Sequence, residues 1–212
     1  QLANLLRAAK RPVIIAGNEA ANPATAQALA AFTAQHPVPV FVKSLATGVL
    51  PPEHPNACGP AGNLAMLAAL GIERPDLVLL LGGRMGMLLG GRSGAVVPHD
   101  AQLVQVHTDA GEIGRIREVQ LPIAANADQL LLALQAELGA HPVSSAAWLG
   151  QARQVVGMFA KRFPQAESEH GIHPMHAAQV IAQAVGPQGI YVYDGGEAAS
   201  WATAITPVDQ PA

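Results

Sequence analysis

The feature that most constrains the fold is the alternation of short apolar runs with alanine-rich stretches over residues 1–138. The apolar runs are rich in Val, Ile and Leu and have the length of buried strands, whereas the alanine-rich stretches have the length of helices. This alternation is typical of βα units that build a parallel sheet covered by helices on both faces. We therefore predict an α/β fold with a three-layer, Rossmann-like parallel sheet.

Individual elements follow from the same pattern. The predicted strands are residues 12–16, 38–42, 77–81, 103–106 and 119–122. Pro23 stands at a favourable position for the first turn of a helix through Gln35. A second helix is predicted over residues 63–70, closed by Gly71, and a third is predicted to be capped by Asp128.

A turn-rich stretch marks a domain boundary. Residues 139–145 contain Gly, His-Pro and Ser-Ser, and this composition is typical of a linker. We predict a first domain over residues 1–138, a linker with a connecting helix (148–162) over residues 139–172, and the start of a second α/β domain over residues 173–212. The second domain is predicted to hold a helix from Pro174 to about Gly186 and a strand at 190–193. We expect the chain to be an incomplete piece of a longer protein.

Composition argues against several classes of partner. Only 13% of the residues are charged and the net charge is -3, so the chain offers no basic stripe for nucleic acid. The apolar runs are far shorter than the roughly 20 residues of a membrane-spanning helix. A single cysteine, Cys58, forms no internal disulfide, and no signal-peptide pattern opens the chain. We expect a cytoplasmic protein with neither nucleic-acid nor membrane partners.

Two candidate ligand-binding segments follow predicted strands. Gly82, Gly83 and Arg84 come directly after the strand at 77–81, where glycines let backbone N–H groups approach a phosphate. The turn lacks a complete GxGxxG pattern, so a purely structural glycine turn is the alternative. Asp109 follows the strand at 103–106, where it either accepts hydrogen bonds from a ribose or caps the turn beginning at Gly111.

Other arrangements of reactive residues are weaker. His173 and His176 have the spacing of a metal-binding pair on a helix, but Pro174 favours His173 as the residue at the helix entrance. Cys58 lies in a proline-rich loop without an identifiable base, and no G-x-S-x-G motif is present. The residues alone therefore define no catalytic constellation.

Several segments resemble one enzyme family when they are taken in order. Residues 11–17 (RPVIIAG), 75–84 (PDLVLLLGGR) and 105–114 (QVHTDAGEIG) are similar to segments of the central domain of thiamine-diphosphate-dependent enzymes. Residues 168–174, and Asp194-Gly195-Gly196 followed by Trp201, resemble the entry to the pyrophosphate-binding C-terminal domain of that family. The resemblance is to the acetolactate synthase and benzaldehyde lyase kind of enzyme and covers nearly the whole chain.

The resemblance implies where cofactors bind. The family's central domain has a six-stranded parallel sheet that holds FAD or ADP in some members and nothing in others, and Gly17, Arg84 and Asp109 are the positions that would face such a nucleotide. Thiamine diphosphate and Mg²⁺ bind between an N-terminal domain of one subunit and the C-terminal domain of its partner. The resemblance therefore places the diphosphate beside four residues: Gly195, Gly196, Glu197 and Ala198.

Two positions depart from the family pattern. Glu197 would place a carboxylate near the diphosphate and repel it unless the side chain turns away. His107 stands where the family usually has aspartate, which weakens the expectation of FAD or ADP.

The resemblance also implies an activity for the full-length parent. It would be a carboligase or lyase that acts on 2-keto acids or 2-hydroxy ketones, assembled as a homodimer or homotetramer. The family's catalytic glutamate and its magnesium-binding motif would lie outside these 212 residues, so we expect the isolated chain to be inactive. The alternatives are a nucleotide-binding regulatory module, which needs Gly17, Arg84 and Asp109 to face one ligand, and a scaffold domain that binds nothing.

Overall fold

A computed structural model describes residues 1–158, 167–168, 171–186 and 189–205. The described residues form two compact units, the first over residues 1–156 and the second from Gly157 onward. None of the helices in these ranges is both long and apolar enough to span a membrane.

The first unit is built on a six-stranded parallel sheet. Its strands are β1 (Pro12–Ala16), β2 (Val40–Val42), β3 (Ala57–Pro60), β4 (Leu77–Leu81), β5 (Gln102–His107) and β6 (Leu121–Ala124). The strand order is β3-β2-β1-β4-β5-β6, and Ile14 at the centre of β1 pairs with Val40 on one side and Leu79 on the other. The predicted three-layer α/β fold is confirmed.

Helices cover the sheet because its central strands expose no polar face. Every residue of β1 and β4 is buried, which requires packing on both sides of the sheet. The helices of this unit are α1 (Leu2–Ala8), α2 (Pro23–Gln35), α3 (Ala127–Leu138) and α4 (Ala146–Ala152). Leu29 and Phe32 of α2 and Leu131 of α3 lie fully buried in the core.

The sequence located five of the six strands. The bounds of β1 and β4 are as predicted. Those of β2 differ by two residues at the start, those of β5 by one residue at each end, and those of β6 by two residues at each end. The sixth strand, β3, was missed because Gly59 and Pro60 interrupt the strand pattern. Its position at the edge of the sheet tolerates a proline, which offers no N–H to a neighbouring strand.

Two helix predictions need correction, and one helix was missed. The helix predicted over residues 63–70 is instead two 3-10 segments, Ala61–Met66 and Ala68–Leu70, although Gly71 does close them with a φ of 69°. Helix α1 was not predicted. Asn126, not Asp128, is the N-cap residue of α3; Asp128 lies in the first helical turn, where its charge favours the positive end of the helix dipole.

The segment after α3 packs onto the sheet and loops of the first unit, to which it belongs. The indole N–H of Trp148 in α4 donates a buried hydrogen bond of 2.9 Å to the carbonyl oxygen of Pro12. The Arg153 guanidinium donates to the carbonyl oxygens of His54, Pro55 and Ala57. The predicted helix at 148–162 is thus observed as α4 and a 3-10 turn, and its residues 159–162 lie outside the described ranges. The domain boundary after residue 138 stays a prediction.

The second unit contains two helices, α5 (Pro174–Val185) and α6 (Gly196–Ile205), and a two-residue antiparallel ladder of β7 (Glu167–Ser168) with β8 (Gly171–Ile172). The strand predicted at 190–193 was wrong, because this segment has no regular structure and the side chains of Ile190 and Val192 are 92% and 90% exposed. A strand needs a neighbour to bond its N–H and C=O groups, and among the described residues of this unit β7 and β8 pair only with each other.

Two side chains of the first unit, His36 and Ser144, have buried polar atoms without a hydrogen-bond partner in the described structure. His36, which follows α2, is fully buried, and neither of its ring nitrogens is hydrogen-bonded there. Its ring packs 4.6 Å from the ring of Phe32, measured between centroids. Burial lowers the pKa of His36 below its usual value, because an apolar environment disfavours the charged imidazolium. The nearby backbone of His141 opposes this shift only in part, and its geometry does not make a hydrogen bond to the ring.

This histidine makes the stability of the fold depend on pH. The unfolded chain has a histidine pKa of about 6.5, so as the pH falls the unfolded state binds the proton before the folded state does. On account of His36, the free energy of unfolding should therefore be highest above about pH 6.5 and should fall as the pH drops from about 7.5 to about 5.5. Urea denaturation at both pH values should show a smaller difference for His36→Leu, whereas His99→Leu, at an exposed position, should retain the wild-type difference.

Candidate functional site

Three loops meet at the carboxyl edge of the parallel sheet. The strand order places β2 and β3 on one side of β1, and β4, β5 and β6 on the other. Successive strands are thus added first on one side of β1 and then on the other, and this reversal of strand order falls between β1 and β4. Ligands of such sheets bind in the crevice at this reversal, outside the carboxyl ends of the strands. The loops after β1, β4 and β5 contain Gly17, Arg84 and Asp109, respectively.

Gly17 lies in direct backbone contact with the β4 loop. Its N–H donates to the carbonyl oxygen of Leu81 at 2.8 Å. A Cβ atom at this position would lie 2.3 Å from the Cα of Gly83 and 2.6 Å from the carbonyl oxygen of Gly82. Packing between the two loops therefore requires glycine here, whether or not a ligand is bound.

Arg84 lines a cavity of about 450 Å³. Glu112 carries the carboxylate of this cavity: its Oε1 lies 2.8 Å from Nη1 of Arg115, and its Oε2 lies 3.7 Å from Nη1 of Arg84. The full lining is Lys43, Arg84, Met85, Gly86, Met87, Leu88, Glu112, Arg115 and Ile116. Gly17 and Asp109 are not part of it.

Lys43 gives the cavity an excess of positive charge. Burial lowers the pKa of its ammonium group, and the charge of Arg84 lowers it further. Two arginines and one lysine face a single carboxylate, and no hydrogen bond or ion pair joins the Lys43 side chain to another residue of the described ranges. This charge balance favours a small anion.

Gln105 positions the loops around this cavity, and the sequence analysis missed it. It is 1% exposed within β5, and its Nε2 donates to the carbonyl oxygens of Gly83 and Glu112, both at 3.1 Å. Its Oε1 accepts from the N–H of Gly114 at 3.0 Å. A glutamine between two valines in a strand buried on both faces was the signal that could have identified it.

Asp109 caps the turn that follows it. Its Oδ1 accepts from the N–H of Gly111 at 2.8 Å at the start of a 3-10 turn, Ala110–Glu112. Of the two alternatives for Asp109, the structure therefore contains the cap. His107 is buried, and its Nδ1 accepts from the N–H of Asp109 at 3.0 Å. Gly17, Arg84 and Asp109 do not line one common cavity.

The other predicted site residues lie at the start of α6 in the second unit. Gly195 and Gly196 have φ angles of 99° and 73°, a backbone conformation that favours glycine. Helix α6 begins at Gly196 and includes Glu197 and Ala198 in its first turn. Oε1 of Glu197 accepts from Nε1 of Trp201 at 3.3 Å, so this carboxylate is directed along the helix toward its next turn.

His173 has a structural role at the entrance of α5. It is the N-cap residue, and its Nδ1 accepts from the N–H of Met175 at 3.2 Å, as Pro174 in the first turn suggested. Its ring meets the edge of the Trp201 ring at 5.0 Å between centroids. In the described parts of the chain, no three His, Cys, Asp or Glu side chains are grouped to hold a metal ion.

Cys58 is buried within β3. Burial raises the pKa of its thiol to about 12, so the group is protonated at neutral pH. A protonated, inaccessible thiol is a poor nucleophile. Cys58 is therefore part of the core.

The strand order and the crevice at its reversal define the class of the first unit, a doubly wound, Rossmann-like α/β domain. Residues 1–134 match the family model described as thiamine pyrophosphate enzyme, central domain. The chain belongs to the thiamine pyrophosphate enzyme family.

Named relatives extend the similarity beyond this domain. The chain is similar to the acetolactate synthase large subunit of Corynebacterium glutamicum, with 25% identity over 100% of the chain and 34% of the relative. It is 27% identical to the large subunit of acetolactate synthase isozyme 1 of Escherichia coli, over 99% of the chain and 36% of the relative. The Lactococcus lactis acetolactate synthase large subunit is 26% identical over 98% of the chain and 36% of the relative. The chain thus spans about a third of the length of these relatives.

Proposed function

We propose that this chain is part of a thiamine-diphosphate- and Mg²⁺-dependent carboligase or lyase. The observation that carries the proposal is the match of residues 1–134 to the family's central domain, together with relatives that are acetolactate synthases over nearly the whole chain. The parent enzyme would act on a 2-keto acid, as the names of these relatives suggest, or on a 2-hydroxy ketone. We further propose a cytoplasmic homodimer or homotetramer.

The start of α6 supports a site for the cofactor's diphosphate. Residues Gly195 and Gly196 adopt positive φ angles, and the first N–H groups of a helix have no intrahelical acceptors. Such N–H groups, together with the positive end of the helix dipole, attract phosphate oxygens. Glu197 is compatible with this role because its carboxylate is bonded to the Trp201 indole in the next turn.

In the proposed enzyme, thiamine diphosphate supplies the electron sink for carbanion chemistry next to a carbonyl group. The described residues of this chain would bind and orient the diphosphate: the backbone at Gly195, Gly196 and Ala198 donates hydrogen bonds, and Trp201 holds the Glu197 carboxylate aside. Mg²⁺ would be held by residues outside this chain, as would the group that activates the cofactor. We therefore propose that the isolated 212 residues have no activity of their own.

Activity assays test this proposal on the protein at the full length encoded by its gene. Product formation would be followed from pyruvate and from a 2-hydroxy ketone such as benzoin, with and without thiamine diphosphate and Mg²⁺. Turnover that depends on the cofactor with either substrate supports the proposal, and its absence with both contradicts it. Cofactor-dependent turnover by the 212-residue chain alone would contradict the proposed inactivity of the piece.

Gly196 offers a sharper test of the diphosphate site. Gly196→Ala places an L-residue at a φ of 73° without a steric contact, because no atom lies within 4 Å of the added Cβ. The left-handed conformation costs about 1–2 kcal/mol, so the turn should relax and its N–H groups should move. We expect the thiamine diphosphate concentration for half-maximal activity to rise about tenfold.

Gly186→Ala is the matched control for this substitution. Gly186 also has a φ of 73° and open space around its Cβ position, but it lies at the end of α5. The cofactor dependence of this variant should equal that of the wild type. An equal rise in both variants would show that the effect reflects backbone strain in the second unit and would argue against the site.

A further inference from the structure

The crevice of the first unit contains a side chain that joins two of its walls. Glu19 lies on the turn after β1, and Thr108 lies just after β5. Oε2 of Glu19 accepts from the Thr108 N–H at 3.0 Å, and Oε1 accepts from the Thr108 hydroxyl. Strand β4 lies between β1 and β5, so these bonds cross the carboxyl end of β4, where a nucleotide would lie in a doubly wound sheet.

Three backbone donors of the loop after β1 are bonded within the protein. The N–H of Gly17 donates to Leu81, that of Glu19 donates to Gly82 at 2.9 Å, and that of Ala20 donates to Gly17 at 2.9 Å. A diphosphate is bound at such a position by free N–H groups of the turn and the helix that follows. The loop after β1 therefore offers few of the donors that FAD or ADP requires.

The helix after β1 does not replace these donors. Helix α2 begins with Pro23, which has no N–H. The side chain of Asn22 accepts from the N–H of Thr25 at 2.9 Å. Two of the positions that would present N–H groups to an anion are thus unable to do so.

The carboxylates of Glu19 and Asp109 also disfavour a diphosphate, and neither residue lines the positively charged cavity around Arg84. Glu19 contributes a carboxylate that is only 27% exposed, and Asp109 contributes a second one next to Thr108. Nδ1 of His107 lies 3.5 Å from Oε1 of Glu19, but this nitrogen accepts from the Asp109 N–H and so offers no proton to the carboxylate. A phosphate placed here would be repelled.

We propose that Glu19 closes this crevice from within the fold, so that the first unit binds neither FAD nor ADP and serves as a scaffold. The carboxylate joins the β1 and β5 loops in the place where a nucleotide would join them. The cofactors of the proposed enzyme would then include no flavin and no adenine nucleotide. This inference does not depend on the reaction that the parent enzyme catalyses.

Nucleotide binding is the first test. The full-length protein would be expressed with ample riboflavin, purified, and examined for absorbance near 450 nm and for adenine nucleotide released on denaturation. Titration calorimetry with FAD and with ADP would follow on the same sample, after cooperative thermal unfolding has shown that it is folded. No stoichiometric nucleotide and no heat of binding are expected. Stoichiometric binding of either one overturns the proposal.

A double-mutant cycle is the second test, because it measures the link between the two loops. Glu19→Ala should raise the unfolding equilibrium constant about tenfold or more, since two hydrogen bonds to a carboxylate are lost. Thr108→Val removes one of them and should have a smaller effect. The double variant should be more stable than the two single effects predict together, because the same bond is counted in both.

Glu53→Ala is the control for loss of a surface carboxylate. Glu53 is exposed and has no hydrogen bond or ion pair with the described residues, so its replacement should change the unfolding constant less than twofold. Coupling between Glu19 and Thr108, together with an absence of nucleotide binding, supports the proposal. Additive effects of the two variants would show that the carboxylate does not join the loops, and would overturn it even if no nucleotide binds.

Discussion

Gly17→Ala is expected to destabilise the protein by at least about 3 kcal/mol. The added Cβ would lie 2.3 Å from the Cα of Gly83 and 2.8 Å from its backbone nitrogen. These atoms belong to the backbone, so no side-chain rotation relieves the clash. The β1 and β4 loops would have to separate, which breaks the hydrogen bond from the Gly17 N–H to the Leu81 carbonyl oxygen.

Gly62→Ala is the matched control. A Cβ at Gly62 meets no atom within 4 Å, and its backbone does not adopt a positive φ. In urea denaturation, the free energy of unfolding of Gly62→Ala should lie within about 0.5 kcal/mol of the wild-type value. Gly17→Ala should be largely unfolded without urea or should unfold at a much lower urea concentration. A Gly17→Ala protein of wild-type stability would mean that the β1 and β4 loops can accommodate a Cβ at this position. Backbone packing would then not be the reason for a glycine here, and close approach of a ligand would be the alternative.

The stability of Gly17→Ala distinguishes two roles for a glycine at the carboxyl edge of the sheet, close approach of a ligand and packing of two loops. A glycine after the first strand of a Rossmann-like fold can allow close approach of a phosphate, and the family resemblance placed Gly17 among the nucleotide-facing residues. In the structure the atom that approaches is the Cα of Gly83, part of the protein itself. The same residue type therefore serves backbone packing here.

The strands were predictable because their burial is uniform. β1 and β4 are buried at every position, so a run of Val, Ile and Leu ended by glycine marks them to the residue. β3 lacks this signal, since an edge strand with Gly59 and Pro60 has the composition of a loop. The segment 190–193 has the opposite property, a strand-like composition without a neighbouring strand among the described residues. The composition of a segment shows only its tendency to form a strand, and the strand forms only where a neighbouring strand can accept and donate its hydrogen bonds.

The site was predicted less completely because its contacts link distant parts of the chain. The position of Arg84 after β4 follows from local pattern, but its shared partner Glu112 and the nearby Lys43 come from other loops. Glu19 and Thr108 are 89 residues apart, and no periodicity relates them. Local signals indicated the position of His173 at the helix entrance and, as one of two alternatives, the cap at Asp109.

Gln105→Leu is expected to lower the free energy of unfolding by about 3 kcal/mol or more. The substitution keeps a side chain of similar size but removes the partners of three backbone groups: the carbonyl oxygens of Gly83 and Glu112 and the N–H of Gly114. The bond to the Gly83 carbonyl oxygen is buried and the other two are partly buried. A buried backbone group left without a partner costs about 1–3 kcal/mol, and the partly buried groups add less. The loops that carry Arg84 and Glu112 should loosen together, because Gln105 is bonded to both.

Gln102→Leu separates this effect from a general change in β5. Gln102 lies in the same strand, undergoes the same substitution and is exposed, so its variant should unfold within about 0.5 kcal/mol of the wild type. Hydrogen exchange gives the local readout: the Gly114 amide should exchange faster in Gln105→Leu and at the wild-type rate in Gln102→Leu. If Gln105→Leu were as stable as the wild type and left the Gly114 amide protected, the glutamine would not be what holds the cavity loops. The arrangement of Arg84 and Glu112 would then have to come from the two ion pairs that Glu112 forms, one with Arg84 and one with Arg115.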